Sequence, residues 1–317
     1  WQVFRFVVPN LLTGNVFAIK HASNVPLCAQ ALEDVFNVSA INFPIYKNLP
    51  IKGSEVANVI ANPIIKGVSL TGSEAAGKSV AETAGKYLKK CVLELGGSNA
   101  FIVLNDADLD YAATKAVSAR MQNAGQSCIA GKRFLIQEEV LDDFTNLFKQ
   151  KLNGLVHGEK FDEKVTFGAM AREDLAIELE QQLLDSVSMG ATIIAGGNRK
   201  GAFFEPTLIT NVTTDMPVFK EETFGPVAAI MPFKTIEEAI DLSNNSAFGL
   251  GASIFTSNPD ALNNYLHLFD EGALFINEMV VSDPHLPFGG IKNSGYGREL
   301  SQYTLYEFAN IQTVVVK

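Results

Sequence analysis

The sequence predicts an α/β fold with a parallel sheet and crossover helices. Three observations carry that expectation. Short apolar runs alternate with longer helix-period stretches, the pattern of strand–helix–strand units. Glycines and prolines fall between the runs, where turns are needed. The chain has 317 residues, 47% of them hydrophobic, and a mean hydropathy of +0.13, enough for a large core and two domains.

Taken in order, residues 15–20 read as a buried strand and 26–36 as a helix with Pro26 in its first turn. Residues 38–43 are strand-like, 53–61 helical and 67–70 a further strand. A helix is expected over 71–88, with Thr71 and Glu74 at capping-box spacing. A strand, a glycine and a helix start in succession form a natural phosphate site, although capping boxes also open ordinary helices. Beyond it, strands are expected at 132–137, 191–195 and 227–231, an extended piece at 205–208, and helices at 138–153 and 172–189. The final stretch, 311–316, has the β-propensity of an edge strand.

The chain is organised around residues 91–131. Cys91-Val92-Leu93-Glu94-Leu95-Gly96-Gly97 reads as a buried strand interrupted by one carboxylate. A Glu in such a run is costly unless protonated, paired or used. A helix-period stretch over about 108–123 follows, and then Cys128 among small residues. Taken singly, a lone Cys is more often a small buried hydrophobe, and a Glu at a strand end more often a salt-bridge partner.

The wording of the motifs separates them from those readings. Leu93-Glu94-Leu95-Gly96-Gly97, followed by Asn123-x-Gly125-Gln126-x-Cys128, closely resembles the two active-site signatures of the aldehyde dehydrogenase family. The resemblance continues through Thr71-Gly72-Ser73 to Gly77, Glu221-Glu222-Thr223-Phe224-Gly225-Pro226 and Pro287-Phe288-Gly289-Gly290. It implies a Rossmann-like cofactor domain over 1–96, a catalytic domain over 97–297 and a C-terminal return with an oligomerisation strand over 298–317. It also implies that an N-terminal part of the family pattern, with an oxyanion-hole asparagine, stands upstream of this chain.

The residue roles come from the same resemblance. Cys128 would be the nucleophile and Glu94 the base that activates water against a thioester. Gly72, Ser73, Gly77 and Leu95 would contact the dinucleotide, Lys20 its adenosine ribose, Glu222 the nicotinamide ribose, and Phe224 would pack near the ring. NAD-preferring members often carry Glu at the position of Ser23. A Ser there removes the repulsion of a 2′-phosphate, so NADP is accepted as well as NAD. Arg5 falls where succinate-semialdehyde dehydrogenases place an arginine for the distal carboxylate, a pairing with a bidentate rationale. Ser282 falls near the same group, and Gln122 stands where many of that subgroup have a second arginine. A homodimer or homotetramer is the implied assembly.

Composition narrows the alternatives. Net charge is −10 and the pI about 5.0, which disfavours a general nucleic-acid or anionic-membrane surface. Cys28, Cys91 and Cys128 lack disulfide-framework or zinc spacing, and His21, His157, His267 and His285 lack metal-ligand spacing. A reducing, cytoplasmic setting and no metal are therefore expected. Three rivals remain: a CoA-acylating relative, a non-catalytic fragment that keeps the fold, and a Cys–His hydrolase.

Overall fold

The computed structural model describes residues 1–38, 44–158 and 161–317. In chain order the first elements are α1 (Gln2–Leu12), β1 (Phe17–Ile19), α2 (Pro26–Val38), β2 (Tyr46–Asn48), α3 (Val56–Ala61), β3 (Gly67–Thr71), α4 (Glu74–Lys86) and β4 (Lys90–Glu94). There follow β5 (Asn99–Val103), α5 (Leu109–Met121), β6 (Gly131–Gln137), α6 (Leu141–Leu152), α7 (Glu173–Ser188), β7 (Thr192–Ala195), β8 (Arg199–Lys200), β9 (Phe203–Phe204) and β10 (Thr207–Thr210). The last are α8 (Pro217–Lys220), β11 (Val227–Phe233), α9 (Ile236–Asn244), β12 (Phe248–Gly249), β13 (Ala252–Phe255), β14 (Leu274–Ile276), β15 (Ile291–Lys292) and β16 (Gly295–Tyr296).

The chain divides into two compact units. The first comprises residues 1–95, 282–289 and 295–317, the second 96–281 and 290–294. Residues 282–289 and 295–317 thus belong with the N-terminal segment.

In the first unit β1 pairs parallel with β2, and β3 parallel with β4, while β16 adds antiparallel to β4. The parallel sheet expected here is therefore split, among the described residues, into a two-stranded parallel sheet and a three-stranded sheet with one antiparallel strand. The three-residue β1 and β2 have ladder only for each other. Helix α4 starts at Ser73, whose hydroxyl accepts from the Ala76 N–H at 3.4 Å. This corrects the Thr71–Glu74 capping box: Thr71 ends β3, two residues before the position that caps. Val38, expected to open a strand, instead ends α2, and residues 39–43 lie outside the described residues.

The second unit carries a seven-stranded sheet in the order β14-β13-β5-β6-β11-β10-β7. All neighbours are parallel except the edge pair β10/β7. β5 is buried at every position, as is β6 up to Gln137, as expected of strands covered on both faces. Asp108 caps α5 by accepting from Tyr111 N–H at 3.1 Å. The helix buries Ala112, Ala113, Ala116 and Ala119, small enough for close approach to its neighbours. Phe101, Phe134, Phe144 and Phe148 fill the core beside it.

The C-terminal stretch, expected to pair across a subunit interface, has no ladder among the described residues of one chain. Residues 311–316 form no strand, and Ile311, Val314, Val315 and Val316 are exposed. β-propensity needs a ladder partner to become a strand, and the described residues offer none.

Candidate active site

Glu94 ends β4 in the first unit with 2% exposure. Neither carboxyl oxygen has a hydrogen-bond partner among the described residues. Burial pushes its pKa up to about 9; Glu299 adds to the rise, while Arg5 and Arg298 oppose it. At neutral pH the group is a carboxylic acid. Gly289 has φ +154°, and a Cβ there would stand 2.8 Å from Glu94 Oε1, so the carboxyl depends on a glycine beside it.

Arg5 is 4% exposed on α1. Its Nε lies 2.7 Å from Glu299 Oε2, and its guanidinium stacks over Phe288 at 4.4 Å. Its Nη2 is buried without a hydrogen-bond partner among the described residues. Trp1, the residue before α1, donates from Nε1 to Ser282 Oγ at 2.9 Å and so ties the start of α1 to the Ser282 loop. Glu299 closes a motif that the sequence shares with the family, and the motif gave it no role. Its pKa is raised, chiefly by burial, and Arg5 holds the rise back.

Cys128 lies in the second unit, on the loop between α5 and β6. Asn123, Ala124 and Gly125 have φ of +53°, +52° and +74° in succession. Left-handed backbone at Asn and Ala costs about 1 kcal/mol or more per residue and persists only where the surroundings impose it. Two buried cations hold this segment, Arg120 at the turn itself and Lys132 just beyond it. Arg120 Nη2 donates to Gly125 O at 3.4 Å and Thr223 O at 2.9 Å, and Nη1 to Gly131 O at 3.1 Å. Lys132 Nζ donates to Ser127 O and Cys128 O, both at 3.0 Å, and pairs with Glu222 Oε1 at 3.2 Å. Burial lowers the pKa of Lys132 to about 8 and that of Arg120 to about 9, which leaves both charged at pH 7.

The Gly96–Gly97 turn is built into the same unit. Gly97 N–H donates to Glu222 Oε1 at 3.0 Å. A Cβ on Gly97 would fall 2.6 Å from Cys128 O. Buried Ser294 donates to Gly96 O at 2.7 Å and accepts from Gly249 N–H at 3.1 Å. Lys132 and Arg120 were missed in the sequence, and Ser294 stood in a family motif without an assigned role. The signal for Lys132 was present: it stands in the apolar run Gly131–Gln137, as Glu94 does in its own.

The residues expected to hold the cofactor divide between the units. In the first, exposed Lys20 follows β1 and exposed Ser23 follows Lys20. Ser73 caps the thirteen-residue α4, whose first-turn N–H groups and dipole suit a phosphate. Gly72 N–H is already given to Glu94 O at 3.0 Å. A Cβ on Gly77 would meet Leu95 at 2.4 Å, so these two residues set how closely α4 approaches β4. This arrangement fits a dinucleotide's phosphate end. In the second unit Glu222 is held by Gly97 and Lys132, and Phe224 is 38% exposed. Gln122 is exposed at the end of α5.

The sequence profile described as the aldehyde dehydrogenase family matches residues 2–314. The chain belongs to the aldehyde dehydrogenase family. It is 43% identical over 317 residues to a protein of Deinococcus radiodurans named succinate-semialdehyde dehydrogenase, NADP(+). That match covers 99% of this chain and 66% of the relative. A protein of Escherichia coli named succinate semialdehyde dehydrogenase, NAD(P)+, is 45% identical, with 99% of this chain and 69% of the relative covered. The crystal structure of succinic semialdehyde dehydrogenase from Streptococcus pyogenes in complex with NADP+ superposes with a TM-score of 0.96 at 38% identity, over 99% of this chain and 70% of that one. The chain thus spans about two thirds of the length of the curated relatives it matches. Among the described residues no helix is long and apolar enough to cross a membrane, and no cluster of three or more His, Cys, Asp or Glu could hold a metal ion.

Proposed function

We propose that this chain carries the thiol, the base and part of the cofactor site of an NAD(P)-dependent dehydrogenase that oxidises succinate semialdehyde to succinate. The observation that carries the reading is Glu94. It is a buried carboxyl at a strand end with unpartnered oxygens, which is unlike a structural salt bridge. Cys128 attacks the aldehyde carbon as a thiolate, forming the S–C bond of a thiohemiacetal. When bound, NAD(P)+ supplies the hydride acceptor that oxidation to the thioester needs. Glu94, once ionised, takes a proton from water, which adds to the thioester carbon and releases Cys128 and the acid. The acyl-CoA rival has no use for such a base.

Lys20, Ser23, Ser73, the first turn of α4, Glu222 and Phe224 are the residues proposed to hold the cofactor. Relatives whose names specify NADP(+) support acceptance of that cofactor, and Ser23 brings no charge against a 2′-phosphate. The buried, unpartnered Nη2 of Arg5, with Ser282 on the loop tied to the start of α1, supports recognition of a distal carboxylate. The exposed apolar run at 311–316 supports assembly into a homo-oligomer through added strand pairing.

The test is NAD(P)H formation from succinate semialdehyde and from butanal, each with NAD and with NADP. We expect the highest kcat/KM with succinate semialdehyde and NADP, and free succinate as product. Equal values for the two aldehydes would sink the substrate reading, and activity surviving Cys128→Ala would sink the mechanism. Acyl-CoA formation in the presence of CoA would favour the acylating rival. If the chain is silent both alone and joined to the upstream segment of a longer relative, the non-catalytic rival stands.

A further inference from the structure

Lys132 is a cation where cations are costly. Its ammonium is fully buried at the start of β6, four residues after Cys128. An ammonium has three donors, and all three have acceptors: Ser127 O, Cys128 O and Glu222 Oε1. These carbonyls are the two that flank the Cys128 α-carbon. A peptide group is planar, with its C=O and N–H on opposite edges. Anchoring Ser127 O on Lys132 therefore turns the Cys128 N–H away from the ammonium. Three successive left-handed residues precede this segment, so local preference does not set its course.

We propose that Lys132 is the positioning residue of the Cys128 nucleophile. It fixes the Ser127–Cys128 peptide so that the Cys128 N–H is presented to an oxyanion formed on Cys128, and its charge favours the Cys128 thiolate. The inference rests on the reading of Cys128 as nucleophile. Glu222, Arg120 and Cys128 are the charged and titratable groups that act on Lys132. Glu222 and the Cys128 thiolate favour its charged form, and Arg120 disfavours it. A bound carboxylate and a thiolate therefore share one ammonium, and the cation cannot serve either alone.

The test uses two readouts that need no cofactor. The first is alkylation of Cys128 by iodoacetamide between pH 5 and 10, resolved from Cys28 and Cys91 by peptide mass spectrometry. The second is acylation by 4-nitrophenyl acetate. There the thiolate forms an S–C bond, the ester C–O bond breaks, and 4-nitrophenolate leaves with the charge. With Lys132→Met we expect the alkylation midpoint to rise by about one pH unit, a tenfold slower reaction at pH 7. Acylation should fall further, by about a hundredfold, because an oxyanion donor is also misplaced. Lys132→Arg keeps the charge, so it should restore the alkylation midpoint and recover acylation only in part, since a planar guanidinium cannot reproduce the three-way geometry.

Lys132→Met leaves Glu222 without its cation. If that single variant does not fold, the double variant Lys132→Met/Glu222→Gln carries the same comparison against Glu222→Gln. An unchanged midpoint with acylation within threefold of the parent overturns the inference. If Cys128 in the parent protein alkylates no faster than Cys91, the nucleophile reading fails instead.

Discussion

Replacing Gly97 with Ala tests whether the turn after Glu94 and the Cys128 loop share one fitted contact. The added Cβ would stand 2.6 Å from Cys128 O and 3.2 Å from Leu250 Cβ. Ordinary contact begins at 3.4 Å, so the carbonyl would have to retreat by about 0.8 Å. It cannot retreat freely, because Lys132 holds the same oxygen at 3.0 Å. Overpacking of this kind costs about 1–3 kcal/mol, or a fall of roughly 3–10 °C in Tm for a unit of this size. A nucleophile displaced by nearly an ångström loses on the order of a hundredfold in rate. The assay is cofactor-free acylation of Cys128 with 4-nitrophenyl acetate, measured alongside thermal unfolding. A Tm within 1 °C of the parent and an acylation rate within twofold would show that the turn and the loop are not in contact as described.

Ser294→Ala removes one donor and one acceptor, leaving Gly96 O and Gly249 N–H buried without it. At about 1–3 kcal/mol for each of the two orphaned groups, urea unfolding should show a loss of roughly 2–6 kcal/mol. Glu94→Gln should abolish hydrolysis while leaving alkylation of Cys128 intact; steady-state turnover near the parent's would rule Glu94 out as the base. The same variant carries a stability signature. Glu94 has a folded pKa raised to about 9, so its contribution is full below the unfolded carboxyl pKa and is lost as pH rises towards 9. The parent should therefore lose stability relative to Glu94→Gln between about pH 5 and 9 in chemical unfolding, and parallel curves would contradict the burial argument. Ser23→Glu should lower kcat/KM for NADP about 10- to 100-fold while sparing NAD, since like charges about 4 Å apart repel by about 1–4 kcal/mol between the limits of bulk water and protein surface.

Much of this was legible in the residues. Alternating apolar runs and helical stretches gave the strands and helices of the second unit, because strands buried on both faces read as continuous hydrophobic segments. Asp108 and the alanine face of α5 follow local rules. Thr71 was misread as a cap because the capping pattern does not say where the preceding strand ends. The run 311–316 was read as a strand that pairs across a subunit interface, and the described residues of a single chain offer it no ladder partner. The Lys132–Glu222 pair was missed because the two residues are brought together by the sheet and lie far apart in the chain. The motifs gave Arg5 and Ser282 a shared role, and only the structure reveals that Trp1 bonds Ser282 and that Glu299 holds the Arg5 Nε.

The left-handed turn at 123–125 has a consequence for how the protein is made. Its anchors are long-range in sequence: Arg120 reaches Thr223 O, and Lys132 reaches Glu222. Neither exists until β11 has docked beside β6. During synthesis Cys128 is therefore an ordinary thiol on a slack segment, and it acquires its environment only when the second unit closes. Thiol reactivity at Cys128 should therefore report the docking of β11 beside β6 better than helix content does.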